Sequence, residues 1–430
     1  MAEVRPFNGL RYDTEAAGDP ARLLCPPYDL IGPDQQRALA ERSPHNAVHI
    51  ELPSDEAGQD RYARARETYQ LWLSDGAIVR EQHLAYYLLR QRYTHRGAEH
   101  ARLALFAAVR LEEFEKGIVL PHEQTTPAPK ADRLALMEAC HANFSPIMAL
   151  YRDRDGAVRR LLDEVAKTAT ALSAPDHDGH PCDLWPIADA TKVRAIERAL
   201  APQPLYIADG HHRYETSLAY RDRMRQRSRE GGTATAREAF NYVMMALIEF
   251  SAPGLIVLPY HRLLTGIGAP QITRVRDRLL ALFDLERVPY AYGGIGRLQS
   301  LVEDRGQSGV ALGLVGPDGE GPYLLTPKSG VELEGLGPLA LFEAWLLESE
   351  VLRSALGDGF AQHVQYVHDA SEAAERTRHG QAQMAFILKP VSMELFERVV
   401  GQGQRLPPKS TYFWPKLPTG LVFNSLEGEI

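Results

Sequence analysis

Pro204-Leu-Tyr-Ile-Ala-Asp-Gly-His-His-Arg-Tyr-Glu-Thr216 is the stretch on which the fold turns. Leu205 to Ala208 reads as a short apolar strand. It breaks at Asp209-Gly210, and a helix is expected from about Arg213. A strand that ends in a glycine turn and opens a helix directs backbone N–H groups at one spot. Asp209, His211, His212 and Arg213 crowd that same spot. The expectation is a site for an anionic group, a phosphate first of all, with the backbone and Arg213 holding the anion and a histidine orienting or protonating it. Asp209 could alternatively assist a metal bound to the phosphates. The plain alternative is that Asp209 caps the helix and both histidines lie on the surface.

Working outward, polar clusters follow other predicted strands. Leu120-Pro-His-Glu-Gln-Thr-Thr126, then Lys130, Asp132 and Arg133, comes after a strand at 117–120. The second histidine of a zincin HExxH is absent. A carboxylate beside hydroxyls and a lysine suits general-base work on a substrate hydroxyl, which makes Glu123 the candidate base. The alternative is a solvated loop with Asp132 as N-cap of a helix running to about His141. Pro259-Tyr-His-Arg262 again follows an apolar strand. In Pro407 to Gly420, Lys409, Ser410, Thr411 and Lys416 could meet phosphate oxygens, although no Walker A glycines precede the serine. Packing of Tyr412, Phe413 and Trp414 accounts for that tail equally well. Tyr28 and Asp29 follow Cys25-Pro-Pro, a rigid turn that presents a phenol and an acid.

The remaining chain alternates helical and strand patterns. Helices are expected at 34–43, 61–73, 158–168, 192–200, 272–282 and 339–356, and a hairpin joins strands at 83–93 and 101–111. Residues 241–249 read as a strand or a buried helix without distinction. Residues 287–327 read as β-rich. The arginines from Arg221 to Arg229 fall at every second residue, so they spread around their helix, and a solvated face is expected.

The 430 residues are too many for one ordinary core, so two domains are expected. A net charge of −8 argues against sequence-independent nucleic-acid binding. The three cysteines, Cys25, Cys140 and Cys182, form no CxxC pair, which argues against a disulfide framework or a zinc knuckle. No run of about 18 apolar residues is present to span a membrane, and the first residues lack an apolar signal region. A cytoplasmic location is expected.

The strings LPHEQTTPAPKADRL, YIADGHHRYETSLAY, LPYHRLL, PPKSTYFWPKLPTGL and PPYDLI resemble, in order, a bacterial family catalogued as domain of unknown function 1015. The resemblance runs from about residue 5 to 422. Asp209 to Arg213 also resembles the strand-to-helix motif of the ParB/sulfiredoxin superfamily, whose members bind ATP or CTP there and include archaeal free-serine kinases. That resemblance implies an α+β fold with a ParB/sulfiredoxin-like nucleotide-binding core at 1–254, carrying a small β insertion near 173–190. A second α/β domain would follow at 255–430, its Pro-rich tail packing back on the site. It further implies a nucleotide-dependent phosphotransferase acting on a small hydroxyl compound such as free serine, using ATP or ADP with Mg²⁺. In that reading Glu123, His212 and Asp209 are catalytic. Gly210, His211, Arg213, Lys130, Arg133, Lys409, Ser410 and Thr411 hold the nucleotide. His122, Thr125, His261, Arg262, Tyr28 and Asp29 face the substrate. A ParB-type nucleotide switch or hydrolase without amino-acid kinase activity is the alternative. Sulfiredoxin's catalytic cysteine has no counterpart, because His211 stands before His212.

Overall fold

A computed structural model describes residues 1–55, 58–201, 203–230, 235–289, 294–331, 333 and 337–430. The fold is α+β. It divides into two compact units, one of Met1–Leu255 with Pro415–Ile430 and one of Ile256–Trp414.

The first unit is built on a nine-stranded mixed sheet. Its strands are β1 (Tyr86–His95), β2 (Ala98–Arg110), β3 (Val119–Leu120), β4 (Ile147–Tyr151), β5 (Leu172–Pro175), β6 (Pro181–Ile187), β7 (Leu205–Asp209) and β8 (Tyr242–Glu249), with Val4–Arg5 added along β2. They lie in the order β3-β7-β4-β8-β2-β1-β6-β5. β1 and β2 meet at Arg96 and Gly97, which take φ of 49° and 77°. Two consecutive positive φ values match the twist of a two-residue hairpin turn. Every residue of β8 is buried. That explains why its apolar run carries no alternation from which strand and helix could be told apart.

Helices flank the sheet: α1 (Arg61–Ser74), α2 (Pro127–Cys140), α3 (Ala157–Val165), α4 (Ala190–Leu200) and α5 (His211–Glu230). Leu105, Val109, Ile147, Ile207, Met245 and Leu247 form one core with Leu162 of α3 and Ile196 of α4. A second core gathers Leu10, Tyr12, Trp72, Phe144 and Phe423. α2 starts earlier than Asp132 suggests. Thr126 is its N-cap and Pro127 its first residue, where a missing N–H costs nothing. Asp132 instead bonds Tyr62, Arg61 and Arg133 from within the helix. On α5, Arg221 is buried against Glu113 and the Leu111 carbonyl, so it is not part of a solvated face.

Residues 415–430 lie in the first unit, whereas the sequence reading placed them in the second. Thr419 bridges to Cys25, Phe423 to Leu10, and Asn424–Ser425 pairs with Ala142–Asn143. The three cysteines are free and buried.

The second unit contains a six-stranded antiparallel sheet. Its strands β10 (His261–Leu264), β11 (Phe283–Arg287), β12 (Leu312–Val315), β13 (Tyr323–Pro327), β14 (Val364–Val367) and β15 (Met384–Ile387) lie in the order β11-β13-β12-β15-β10-β14. A separate pair joins β9 (Ile256–Leu258) to β16 (Tyr412–Trp414). Its principal helices are α6 (Ala269–Leu282), α7 (Gly294–Gly306), α8 (Ala370–Arg378) and α9 (Met393–Gly401). α7 interrupts the stretch expected to be β-rich, of which 290–293 lies outside the described residues. Ile295, Leu298 and Val302 recur at helical spacing and pack on the sheet, a signal masked by the surrounding glycines. No described helix is long and apolar enough to cross a membrane.

Candidate functional site

The corner begins where β7 hands over to α5. Gly210 has φ +94°, and a Cβ added there would stand 3.0 Å from the Arg213 side chain. The positive φ favours glycine, and a larger residue would also press on the Arg213 guanidinium. Met148 on β4 pairs with Asp209 across an irregular register, which fixes the carboxylate at the strand's end.

Asp209 lies between two cations. One oxygen accepts from Lys416 Nζ, and the other accepts from Arg213 Nη2 at 2.6 Å. Burial by itself would raise this carboxyl, but Lys416 and Arg213 outweigh it and hold Asp209 well below the ordinary carboxylate range. Arg213 also donates to the Pro146 carbonyl. Asp209 and Arg213 thus serve each other and Lys416, and the inner side of the corner is filled by its own side chains.

The HEQT loop docks directly on this corner through bonds that span 86 and 89 residues of sequence. His211 Nε2 accepts the backbone N–H of His122 at 3.1 Å and of Glu123 at 3.3 Å. His212 Nε2 accepts the N–H of Thr126 at 3.0 Å. These bonds assign the proton of each neutral ring to Nδ1. Thr125 Oγ1 donates to Glu215 at 2.6 Å, and Lys130 Nζ meets the same oxygen at 2.7 Å. Behind the loop, His122 is buried with Nδ1 on the Ile207 carbonyl at 2.7 Å, and its ring stands 4.4 Å from that of His211. Burial lowers the His122 pKa, and it lowers that of His212 against the pull of Glu215, Asp29 and Glu123. Both rings are therefore neutral at pH 7.

The outward rim of the corner carries Glu123, Thr125, Lys130, His212 and Glu215, all partly exposed, and the exposed Asp29. Tyr28 lies under the Arg133 guanidinium at 4.1 Å, and burial pushes its phenol up to about 12. Arg133 is itself committed to the Glu51 carbonyl and Asp132, so it is a support and is not presented to a ligand.

The other sequence candidates lie in the second unit, within networks of their own. Arg262 is buried and bonds Glu348, the Tyr260 carbonyl and the Pro408 carbonyl. His261 Nδ1 accepts the Leu388 N–H at 3.1 Å. Ser410 donates to the Pro407 carbonyl, Thr411 is buried, and Lys409 stands 5.5 Å over the Tyr260 ring. Glu215 is the site residue to which the sequence assigns no role. Glu215 falls one turn after His211 on α5, and that spacing was the available signal.

Among the described residues no three His, Cys, Asp or Glu side chains gather to hold a metal ion. Each Asp209 oxygen already accepts from a cation, Lys416 or Arg213.

The family model described as "Protein of unknown function (DUF1015)" matches residues 4–344. The chain belongs to this family. No curated protein shows significant similarity to it. Among solved structures, a free serine kinase mutant in complex with ADP is 14% identical with a TM-score of 0.36, over 74% of this chain and 92% of that one. A conserved hypothetical protein from Pyrococcus furiosus is 14% identical with a TM-score of 0.32, over 74% and 95%. SbnI from Staphylococcus aureus is 13% identical with a TM-score of 0.37, over 75% and 87%.

Proposed function

We propose that this family member is a nucleotide-dependent phosphotransferase acting on a small hydroxyl compound, with free serine the first substrate to test. The observation that carries the reading is the docking of the HEQT loop on the DGHHR corner through His211 and His212. It brings a carboxylate, a neutral histidine and a lysine to one partly exposed rim. Phosphoryl transfer asks for little beyond such positioning and charge neutralisation. The resemblance of Asp209–Arg213 to the ParB/sulfiredoxin motif supports a nucleotide, ATP or ADP, as the phosphate source.

In this reading Glu123 accepts the proton of the attacking hydroxyl. His212 donates from Nδ1 to a phosphate oxygen, and Lys130, steadied by Glu215, offsets negative charge. Thr125, Tyr28 and Asp29 border the acceptor. Gly210 and His211 fix the loop, while Asp209, Arg213 and Lys416 form the charged base on which it rests. Mg²⁺ would come with the phosphates of the nucleotide and offset their charge. Lys409, Ser410, Thr411, His261 and Arg262 belong to the second unit, and the scheme assigns them no role.

The commitment of Asp209 and Arg213 to one another favours, as a second reading, nucleotide binding without transfer. Titration calorimetry with ATP, ADP, AMP and CTP, followed by mass spectrometry of an amino-acid pool incubated with the bound nucleotide, separates the two. A phosphorylated amino acid supports transfer. Binding without any such product supports the switch, and absence of binding removes both.

A further inference from the structure

A second cavity of ≈ 400 Å³ opens in the first unit away from the corner, between α3 and the β2-β8-β4 region of the sheet. Its volume is within the range of small-molecule sites. Leu103, Leu162, Ala166 and Pro253 supply an apolar wall. Five charged side chains line it: Arg90 is paired with Asp183 and Arg159 with Asp163, while Glu249 and Lys167 lack a counter-charge among the described residues. Glu249 is buried, 7% exposed, and its oxygens meet only the Ser251 N–H and hydroxyl and the Asp153 N–H. No cation pairs with it among the described residues. Lys167 lines the same cavity, is exposed, and makes no ion pair among the described residues. Buried carboxylates are normally paired, since removing a lone charge from water is costly. Tyr151 adds a hydroxyl with no hydrogen-bond partner among the described residues, although the residue is 2% exposed.

A lone buried carboxylate, an uncommitted ammonium and an apolar wall around one cavity are complementary to a molecule that carries the opposite charges on an apolar body. We propose that this cavity binds a zwitterion of the α-amino-acid class with an apolar side chain, its ammonium on Glu249, its carboxylate on Lys167 and its side chain against Leu103 and Leu162. The inference is independent of the phosphotransferase reading and uses none of its residues.

The test is calorimetric titration of the full chain with L-phenylalanine, 3-phenylpropionate, which lacks the ammonium, and 2-phenylethylamine, which lacks the carboxylate. Saturable binding of L-phenylalanine is expected, with each half-molecule at least about tenfold weaker. Lys167→Ala is expected to weaken L-phenylalanine by about tenfold and to leave 2-phenylethylamine unchanged. Glu249→Gln is expected to do the reverse with the two half-molecules, weakening only the amine. Lys167 is exposed, so its variant decides the matter if the Glu249 variant does not fold. Absence of L-phenylalanine binding overturns the proposal. So does 3-phenylpropionate binding as tightly as the amino acid, or L-phenylalanine affinity unmoved by Lys167→Ala.

Discussion

At the residue scale, Asp209 is the most consequential side chain because two cations, the buried Lys416 and the half-buried Arg213, depend on it. Asp209→Asn leaves Lys416 and Arg213 without a carboxylate, and a loss of about 3–5 kcal/mol in unfolding free energy is expected by denaturant titration. Because its folded pKa is depressed, its contribution is intact at neutral pH. It is lost only as pH falls below the ordinary carboxylate range, near about 3.9. His261 in the second unit behaves oppositely. Burial first, then Arg262 and His368, pushes its ring down to about 4. Between about pH 6.5 and 4 the unfolded chain takes up a proton that the folded chain refuses. Stability should therefore decline by about 3 kcal/mol as pH drops through that window and level off below it. His261→Phe should remove the slope, read as chemical-denaturation midpoints against pH.

At the scale of elements, the loop-to-corner contact and the C-terminal tail matter most. His211→Ala leaves the His122 and Glu123 amides without their acceptor. A cost of about 1–3 kcal/mol and faster amide exchange confined to 122–126 are expected, the latter by hydrogen-exchange mass spectrometry. The tail carries Leu417, Leu421, Val422 and Phe423, all at most 3% exposed. Phe423→Ala should cost about 3–5 kcal/mol in thermal or denaturant unfolding.

Much of this scale was legible from the chain. The β1–β2 hairpin, α1, α3, α4 and the strand-to-corner-to-helix unit follow from periodicity and turn residues. What was not legible has physical causes. Asp132 resembles a cap, but Pro127 offers an earlier start that needs no N–H. β8 is buried on both faces and so shows no alternation. α7 hides among glycines. Lys416 could be seen as a phosphate candidate, but its pairing with Asp209 is a long-range contact that no local pattern encodes.

At the scale of the whole molecule, the chain carries a net charge of −8, and the inner cations of the corner, Arg213 and Lys416, are spent on Asp209, which leaves Lys130 beside Glu215 on the rim. The sequence distributed candidate residues over five segments. Three of these, around Tyr28, Glu123 and Asp209, converge in the first unit, while the clusters at 259–262 and 409–411 belong to the second. Periodicity reports which face of an element is buried but not which distant segments share a neighbourhood, so residue type alone could not say which candidates fall in which unit. The most direct test compares the intact chain with Glu123→Gln, measuring ADP and ATP affinity by calorimetry and phosphoserine formation from L-serine by mass spectrometry. The account predicts nucleotide affinity within about twofold of the parent and turnover reduced at least about a hundredfold. A Glu123→Gln protein that forms phosphoserine at the parent rate, or an intact chain that binds no nucleotide, would contradict it.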